Sequence, residues 1–493
     1  MTFKLRRPIL VGGVGLSIAL WLLQSLHHSV EQVGEFGVLS AIALFSCLLL
    51  FQRRAKDTQM PQERSPLNRV KVEKALVEAE GVISQLETEA ENHEAISSGL
   101  RQKVAQLTVE LDRQEIYLAV TGGKAVGKTT LIQVLESNWV GQIQPRMCLR
   151  ETPALFTKDA DLTAQTTVAE AIASDLVLFV TNGDLTEPEF QTLQQLVAAN
   201  QRTLLVFNKQ DQYLPDERAT VLYSLRQRMQ SLLGAEDVVA IAASPVQVKV
   251  RQHQADGSVQ EWMEQIAPDT KQLTEKLAQT VAQSGQQLVW ATTLRAAMAL
   301  KAEAKTVLNR KRRDRAVPLI EQYQWIAGGA AFANPVPALD LLATAAINAQ
   351  LVTELGAIYQ QKFSRKQAQT LAGTMGSLML KLGLVELTTQ TIGNVLKSNA
   401  ITFVAGGAVQ GVSAAYLTRL AGMSLIEYFQ EQDISTTPEA GSPLNFDKLG
   451  QTLQRVFQQN QRAAFLQSFV KQSVERLLPK SSQPQLTASQ NSC

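Results

Sequence analysis

The sequence predicts an α/β P-loop domain, preceded by an N-terminal transmembrane hairpin and a helical stalk and followed by an α-helical C-terminal domain. Three observations carry this. A buried-strand pattern, Glu115 to Val120, runs into Gly122–Thr129, which fits GxxxxGK[ST], and then into a helical pattern from Thr129 to Leu135. Two apolar runs, residues 9–23 and 36–51, open the chain. Ala- and Leu-rich periodic stretches fill most of the chain beyond residue 284.

Each apolar run is near the short end of a spanning helix. The segment between them, His27 to Glu35, has no Lys or Arg, whereas Lys4, Arg6 and Arg7 precede the first run and Arg53, Arg54 and Lys56 follow the second. Cations outside both runs predict a hairpin over residues 1–56 whose two ends, and everything after Arg53, are cytoplasmic. A cleaved signal peptide is the rival reading of the first run, but a small-x-small cleavage site is missing and a second apolar run follows. A buried core hairpin is the other rival.

Residues 57–114 read as linker and stalk. Pro61 and Pro66 mark the linker. Val72, Leu76, Ala79, Ile83, Leu86, Ala90, His93, Ser97, Leu100, Val104, Leu107 and Leu111 then alternate steps of four and three, which is a heptad seam. It weakens at His93 and Ser97, and Gly81 and Gly99 disfavour helix. Two readings stay open: a self-associating coiled coil, and an amphipathic helix that folds back on the α/β domain.

In that domain, Gly122, Gly123, Lys124, Ala125, Val126, Gly127, Lys128, Thr129 and Thr130 form the expected phosphate site. Backbone N–H groups curl around the phosphates, Lys128 reaches the β and γ oxygens, and the Thr129 hydroxyl ligates Mg²⁺. The second motif, Asn208–Lys209–Gln210–Asp211, follows the apolar strand Arg202–Phe207. Strand ends are where open α/β sheets bind ligands. Asp211 can accept from the guanine N1–H and N2 amine, which adenine does not offer; Asn208 would bond the purine edge and nearby loops, and the Lys209 stem would cover the ring. The expected ligands are GTP and Mg²⁺.

The stretch 115–284 resembles an Era-like GTPase domain of the P-loop class. Asp175–Thr181 resembles that family's central strand, and Val238–Ser244 the strand leading to its last base-contacting loop, with Ala242 and Ala243 where the family has Ser-Ala. The resemblance implies that a backbone N–H there meets the guanine O6. It also maps the family's DxxG motif to Glu151–Thr152–Pro153–Ala154, with Glu151 as the water-mediated Mg²⁺ contact. Several departures point to slow hydrolysis. Glu151 is one methylene longer than Asp, Ala154 replaces Gly, and Leu155 stands where some GTPases carry a water-orienting Gln. Asn138 to Met147 contains no Thr to close on Mg²⁺. No catalytic residue is assigned; a partner or a second copy is expected to supply the missing group.

Residues 285–434 read as helical. Asn334–Pro335–Val336–Pro337, Asp340 after it, and the helix ending Ala357–Ile358–Tyr359 resemble an uncharacterised domain of bacterial inner-membrane YcjF-like proteins, over roughly residues 295–430. Asp340 reads as a helix-start residue. The run Arg310–Lys311–Arg312–Arg313–Asp314–Arg315 reads as a solvated face or a lipid-headgroup contact. Gly/Ala-rich stretches at 371–380 and 400–417 suit close helix packing in a buried bundle or in lipid. Residues 435–493 read as an amphipathic helix, or helix pair, from Phe446 to Leu478, and a disordered tail.

Lys and Arg total 47 against 45 Asp and Glu in 493 residues, which gives no global nucleic-acid signature. Three scattered cysteines, Cys47, Cys148 and Cys493, exclude a disulfide framework and a zinc spacing. The expected protein is therefore a multi-pass membrane-anchored GTP-binding switch with a cytoplasmic nucleotide domain. Its partners would be the bilayer, a second copy through stalk or GTPase domain, and an unidentified protein. A dynamin-like membrane-remodelling GTPase and a non-hydrolysing scaffold are the alternatives. The Lys and Arg asymmetry predicts that protease added outside sealed right-side-out vesicles leaves residues 57–493 intact; digestion of the nucleotide domain there would overturn the topology.

Overall fold

Three strands of the α/β domain read as unbroken apolar runs because helices cover both faces of their sheet. These are β1 (Ile116–Gly122), β3 (Leu176–Thr181) and β4 (Thr203–Phe207). With β2 (Met147–Glu151) and β5 (Val238–Ala240) they form a five-stranded sheet in the order β2-β1-β3-β4-β5, parallel throughout. The computed structural model describes residues 67–89, 94–142, 144–156, 160–253, 259–333, 337–398, 407–431, 445–460 and 463–477. The hairpin expected over 1–56 and the tail after 477 lie outside them. Every described helix and strand belongs to one compact unit, Asn68–Cys493.

The helices connecting the strands sort by face. Helix α3 (Lys128–Asn138) lies on one face, where Leu131 and Leu135 join Leu118, Leu178 and Val206 of the strands. Helices α4 (Ala160–Ile172), α5 (Glu187–Ala198) and α6 (Pro215–Met229) take the other, with Ala171, Leu193, Leu196, Leu225 and Met229 against Val177, Phe179 and Leu205. The strand order reverses between β1 and β3, and open α/β sheets bind their ligands outside the carboxyl ends of strands at such a point. Beyond β5, an antiparallel ribbon of β6 (Val248–His253) and β7 (Val259–Glu264) precedes the long helix α7 (Lys271–Ala333).

Helix α7 crosses the domain boundary expected at residue 284. In place of a linker there is a kink at Ser284 (φ −142°, ψ 15°), whose hydroxyl donates to the Thr280 carbonyl. Before and just after the kink, Leu273, Leu277, Val281 and Leu288 pack under the sheet. Farther on, Ala316 and Ile320 belong to the helical core. At the crossing, a Cβ on Gly285 would stand 3.2 Å from Ile116 Cδ1, so helix and strand start touch closely.

The seam expected between residues 72 and 111 is two helices, α1 (Arg69–Glu89) and α2 (Glu94–Glu110). They form an antiparallel hairpin, closed by Arg69–Asp112 (2.6 Å) at one end and Arg101–Glu87 (2.7 Å) nearer the other. Val72, Leu76, Ala79, Ile83, Leu86, Leu100, Val104 and Leu111 are buried. The hairpin lies along α7, as Lys301–Glu78 (2.8 Å) and Arg312–Glu89 (2.6 Å) show. This corrects the free-standing coiled coil: the seam is covered within the chain, and folding back is onto α7. It also corrects the basic run. Arg312 is 3% exposed and, with Arg315, donates to Glu89, so two of its cations are spent on α1.

The rest of the described chain is a helical bundle: α8 (Pro337–Ile358), α9 (Arg365–Lys381), α10 (Leu384–Ser398), α11 (Gly407–Glu431), α12 (Phe446–Asn460) and α13 (Ala463–Leu477). Asp340 falls in the first turn of α8. The bundle's core holds Leu355, Leu371, Ile392, Tyr428, Leu453 and Phe469. A Cβ on Gly422 of α11 would come within 2.7 Å of Ile320, which is why a small residue stands at that crossing. Among the described residues no single helix is long and apolar enough to cross a membrane; α9 with Leu384–Asn394 meets that measure only as a pair bent by 68°.

An ion-pair knot ties the sheet to α7. Asp237 accepts from Arg202 Nη1 (2.6 Å) and Nη2 (2.7 Å) and from Lys276 Nζ (3.1 Å). Burial pushes its carboxyl up, but the hydrogen bonds and charges of Arg202 and Lys276 outweigh that and hold it below the usual aspartate range. A depressed carboxyl stabilises the fold above its unfolded pKa and loses that contribution as pH falls through its folded value. Asp237→Asn should therefore cost about 3–5 kcal/mol at neutral pH. The deficit should shrink as pH is lowered below about 4, measured by denaturant titration at several pH values.

Candidate nucleotide-binding site

The P-loop joins β1 to α3 and needs glycine at two places. Gly122 has φ +145°, and a Cβ on it would lie 2.2 Å from the Val180 carbonyl oxygen of β3. Gly127, the N-cap of α3, has φ +95°, and its Cβ would lie 2.4 Å from Asn208 Nδ2. A side chain at either is strained whatever the neighbours do. Ala125 between them also has positive φ, +59°. The loop thus presents backbone N–H groups beside the start of α3, where the helix dipole favours an anion.

Lys128 is buried, and its Nζ donates to the Gly122 and Gly123 carbonyls at 3.2 and 2.9 Å. Burial lowers its pKa, and the Glu151 carboxylate opposes that shift. Thr129 Oγ1 donates to Glu151 Oε2 at 2.7 Å. Glu151 is the last residue of β2, in register with Val120 of β1. The two expected Mg²⁺ residues are therefore adjacent. Among the described residues no group of three His, Cys, Asp or Glu could hold a metal. One hydroxyl and one carboxylate fit a cation that brings most of its oxygens from phosphate and water.

At the other end of the crevice, Asn208 is buried at the end of β4 and spends its amide on protein. Nδ2 donates to Val126 O (2.9 Å), and Oδ1 accepts from Ala243 N (3.0 Å). It joins the P-loop to the β5 loop, the loop contact expected of it, and leaves a second Nδ2 hydrogen and a second Oδ1 lone pair. Lys209, at φ +62°, reaches Ala125 O with Nζ (2.9 Å) and so spans the same gap. Asp211 is exposed, with Oδ2 accepting from Val246 N at 3.0 Å.

The amides expected to meet the guanine O6 are both taken. Ala242 N donates to Asp269 O (2.9 Å) in an isolated bridge, and Ala243 N donates to Asn208. The next residue, Ser244, is exposed, and its N–H has no partner among the described residues. Pro245 follows it in the sequence and biases the Ser244 backbone toward the extended region. Asp269 was also missed: it holds Gln210 Nε2 at 3.0 Å as well as Ala242, fixing the loop from below.

Leu155 has a structural use. It is 1% exposed, packs with Ala119, Val177 and Phe179, and donates its N–H to Gly122 O (3.1 Å). It anchors the loop after β2 to the P-loop and points away from the crevice. The N–H of Ala154, one residue earlier, has no partner among the described residues.

Asn208 is predicted to matter more than an ordinary loop residue. Asn208→Ala leaves the Val126 carbonyl and the Ala243 amide unpaired, which costs about 1–3 kcal/mol. A thermal melt should register this loss, and a fluorescent guanine nucleotide should bind more weakly. Unchanged stability and binding would show that the two loops stand without it.

A family model described as a domain of unknown function, DUF697, matches residues 295–462, from the second part of α7 to the end of α12. No curated protein matches the chain. Among solved structures, the chain is similar to translation elongation factor SelB from Methanococcus maripaludis in its apo form (24% identity, TM-score 0.23), over 27% of this chain and 30% of that one. It is similar to a GTP-binding protein from Sulfolobus solfataricus in complex with GDP (15% identity, TM-score 0.24), over 44% of this chain and 68% of that one. It is also similar to LeoA, a bacterial dynamin GTPase from ETEC (11% identity, TM-score 0.22), over 83% of this chain and 98% of that one.

Proposed function

We propose that the chain is a membrane-anchored GTP-binding protein with slow intrinsic hydrolysis, a switch whose nucleotide state is felt by the helical domain. The observation that carries the guanine reading is the exposed Asp211 carboxylate, on a loop that Asn208 and Lys209 tie to the P-loop. A carboxylate there suits the N1–H and N2 amine of guanine, whereas adenine presents at those positions the acceptor N1 and a C2–H. The Era-like resemblance and the adjacent Thr129 and Glu151 support GTP with Mg²⁺. Anchoring rests on the two apolar runs and their flanking cations. The DUF697 match falls on the stretch that resembles a YcjF-like domain, and supports a shared helical module there.

Slow hydrolysis rests on Leu155. Phosphoryl transfer asks a protein for positioning and charge, and an apolar side chain buried in the core supplies neither to an attacking water. The same observation favours a second reading, a scaffold that binds GTP without turnover. A lipid-remodelling role is compatible with either and is tested by adding liposomes.

Calorimetric titration of the full chain in detergent should give a GTP affinity at least about tenfold above that for ATP. Lys128→Ala should abolish most binding, and Asp211→Asn should shift preference from GTP toward xanthosine triphosphate. Equal affinity for GTP and ATP would end the guanine assignment. Single-turnover hydrolysis should proceed at roughly 10⁻⁴ to 10⁻² per second without a partner. Several per second would mean that the crevice holds a catalytic group after all.

A further inference from the structure

The ribbon β6–β7 rises from the base-binding loop and is exposed along both strands, with Val250 half-buried. A lone two-stranded ribbon is marginally stable in water at best. This one also shows solvent Val248 (44%), Trp262 (40%), Met263 (57%) and Val259 (48%), with Val246 and Ile266 exposed at its root. Large apolar side chains thus stand in solvent on both faces of the ribbon and at its root, and exposed apolar surface of this kind marks a binding surface when it is contiguous.

The register sorts the ribbon into two unlike faces. One carries the rows Val248–Glu264, Val250–Trp262 and Gln252–Gln260. The other carries Lys249–Met263, Arg251–Glu261 and His253–Val259. On this second face Glu261 pairs with both Lys249 and Arg251, so its cations are spent. The first face has no cation at all and one carboxylate, Glu264.

We propose that this first face is where two copies of the chain pair, ribbon against ribbon, about a two-fold axis through the Val250–Trp262 row. Such a contact must be self-complementary. With the rows reversed across the axis, Trp262 meets Trp262 and Val250 meets Val250 of the copy. The Glu264 end then faces the Gln252–Gln260 end, a carboxylate opposite amide donors, with no like charges opposed. An anionic bilayer or a nucleic acid would instead require free cations, which neither face has to give. The ribbon's root adjoins the guanine end of the crevice: Val246 N donates to Asp211, Gln265 Nε2 to the Pro245 carbonyl (3.2 Å), and Gln247 Nε2 to Gln265 Oε1 (3.0 Å). Pairing therefore sets two base-binding ends side by side. This consequence rests on the nucleotide reading; the pairing itself does not.

The test is light scattering on the full chain in detergent over a concentration series to about 10 µM, with and without a non-hydrolysable GTP analogue, and nucleotide binding measured on the same samples. The expected result is a dimer that Trp262→Glu converts to monomer, since two carboxylates then face each other on the axis. Lys249→Ser, on the opposite face, should leave the dimer intact. Both positions are exposed enough that folding is unaffected, and an unchanged melting temperature checks this. A monomeric unsubstituted chain, a dimer that survives Trp262→Glu, or a dimer lost with Lys249→Ser would each overturn the proposal. Failure of the analogue to bind while Trp262→Glu still dissolves the dimer would sink the nucleotide reading and uphold the pairing.

Discussion

Helix α7 serves two hydrophobic cores at once, and the rest of the chain is arranged around that fact. Its first part completes the sheet's core through Leu273, Leu277 and Val281. Its last part completes the bundle's core through Ala316 and Ile320. Between them it offers a flank to α1, whose Val72, Leu76, Ala79, Ile83 and Leu86 are buried. Interiors are close-packed, so a helix embedded at both ends moves as one body or not at all. The break at Ser284 is where its two parts meet at an angle. A change at the loops after β4 and β5 reaches this helix through few bonds: Asp269, two residues before α7, holds Ala242 and Gln210.

The sheet and its motifs were legible because their chemistry is local. An apolar run followed by a glycine-rich turn and a helix pattern has one good solution, and β1, the P-loop and α3 adopt it. The heptad seam was legible as a seam but not as a partner. Periodicity states that a face must be covered; it is silent on whether a second copy or α7 covers it. The basic run misled for the same reason. Arg312 looked like surface charge until Glu89, far away in sequence, was brought beside it.

At the site, the legible part was residue type and the illegible part was hydrogen-bond allocation. Thr129 and Glu151 were expected together and are together. The Ala242 and Ala243 amides were expected to face the nucleotide, yet each is committed elsewhere, to Asp269 and to Asn208. Buried polar groups find partners wherever the fold allows, and three adjacent loops allow them to find one another. What stays open is what folding does not use up: the Ser244 amide, and Asp211 Oδ1, its Oδ2 being bonded to Val246 N.

The closure of the α1–α2 hairpin also has a mechanical meaning. Arg69 and Asp112 hold the two ends of the hairpin together, and the next residue, Arg113, is bound to buried Asp175 at the foot of β3 (2.8 Å). Tension applied at Asn68 is therefore borne first by an exposed ion pair of modest strength. After it parts, α1 would peel from α7 turn by turn, beginning at Val72, because the load enters at one end of the seam. The Arg113–Asp175 tie, set in the sheet, would hold while that happens. The hairpin is thus built to yield before the α/β domain does, with its weak link outside the sheet.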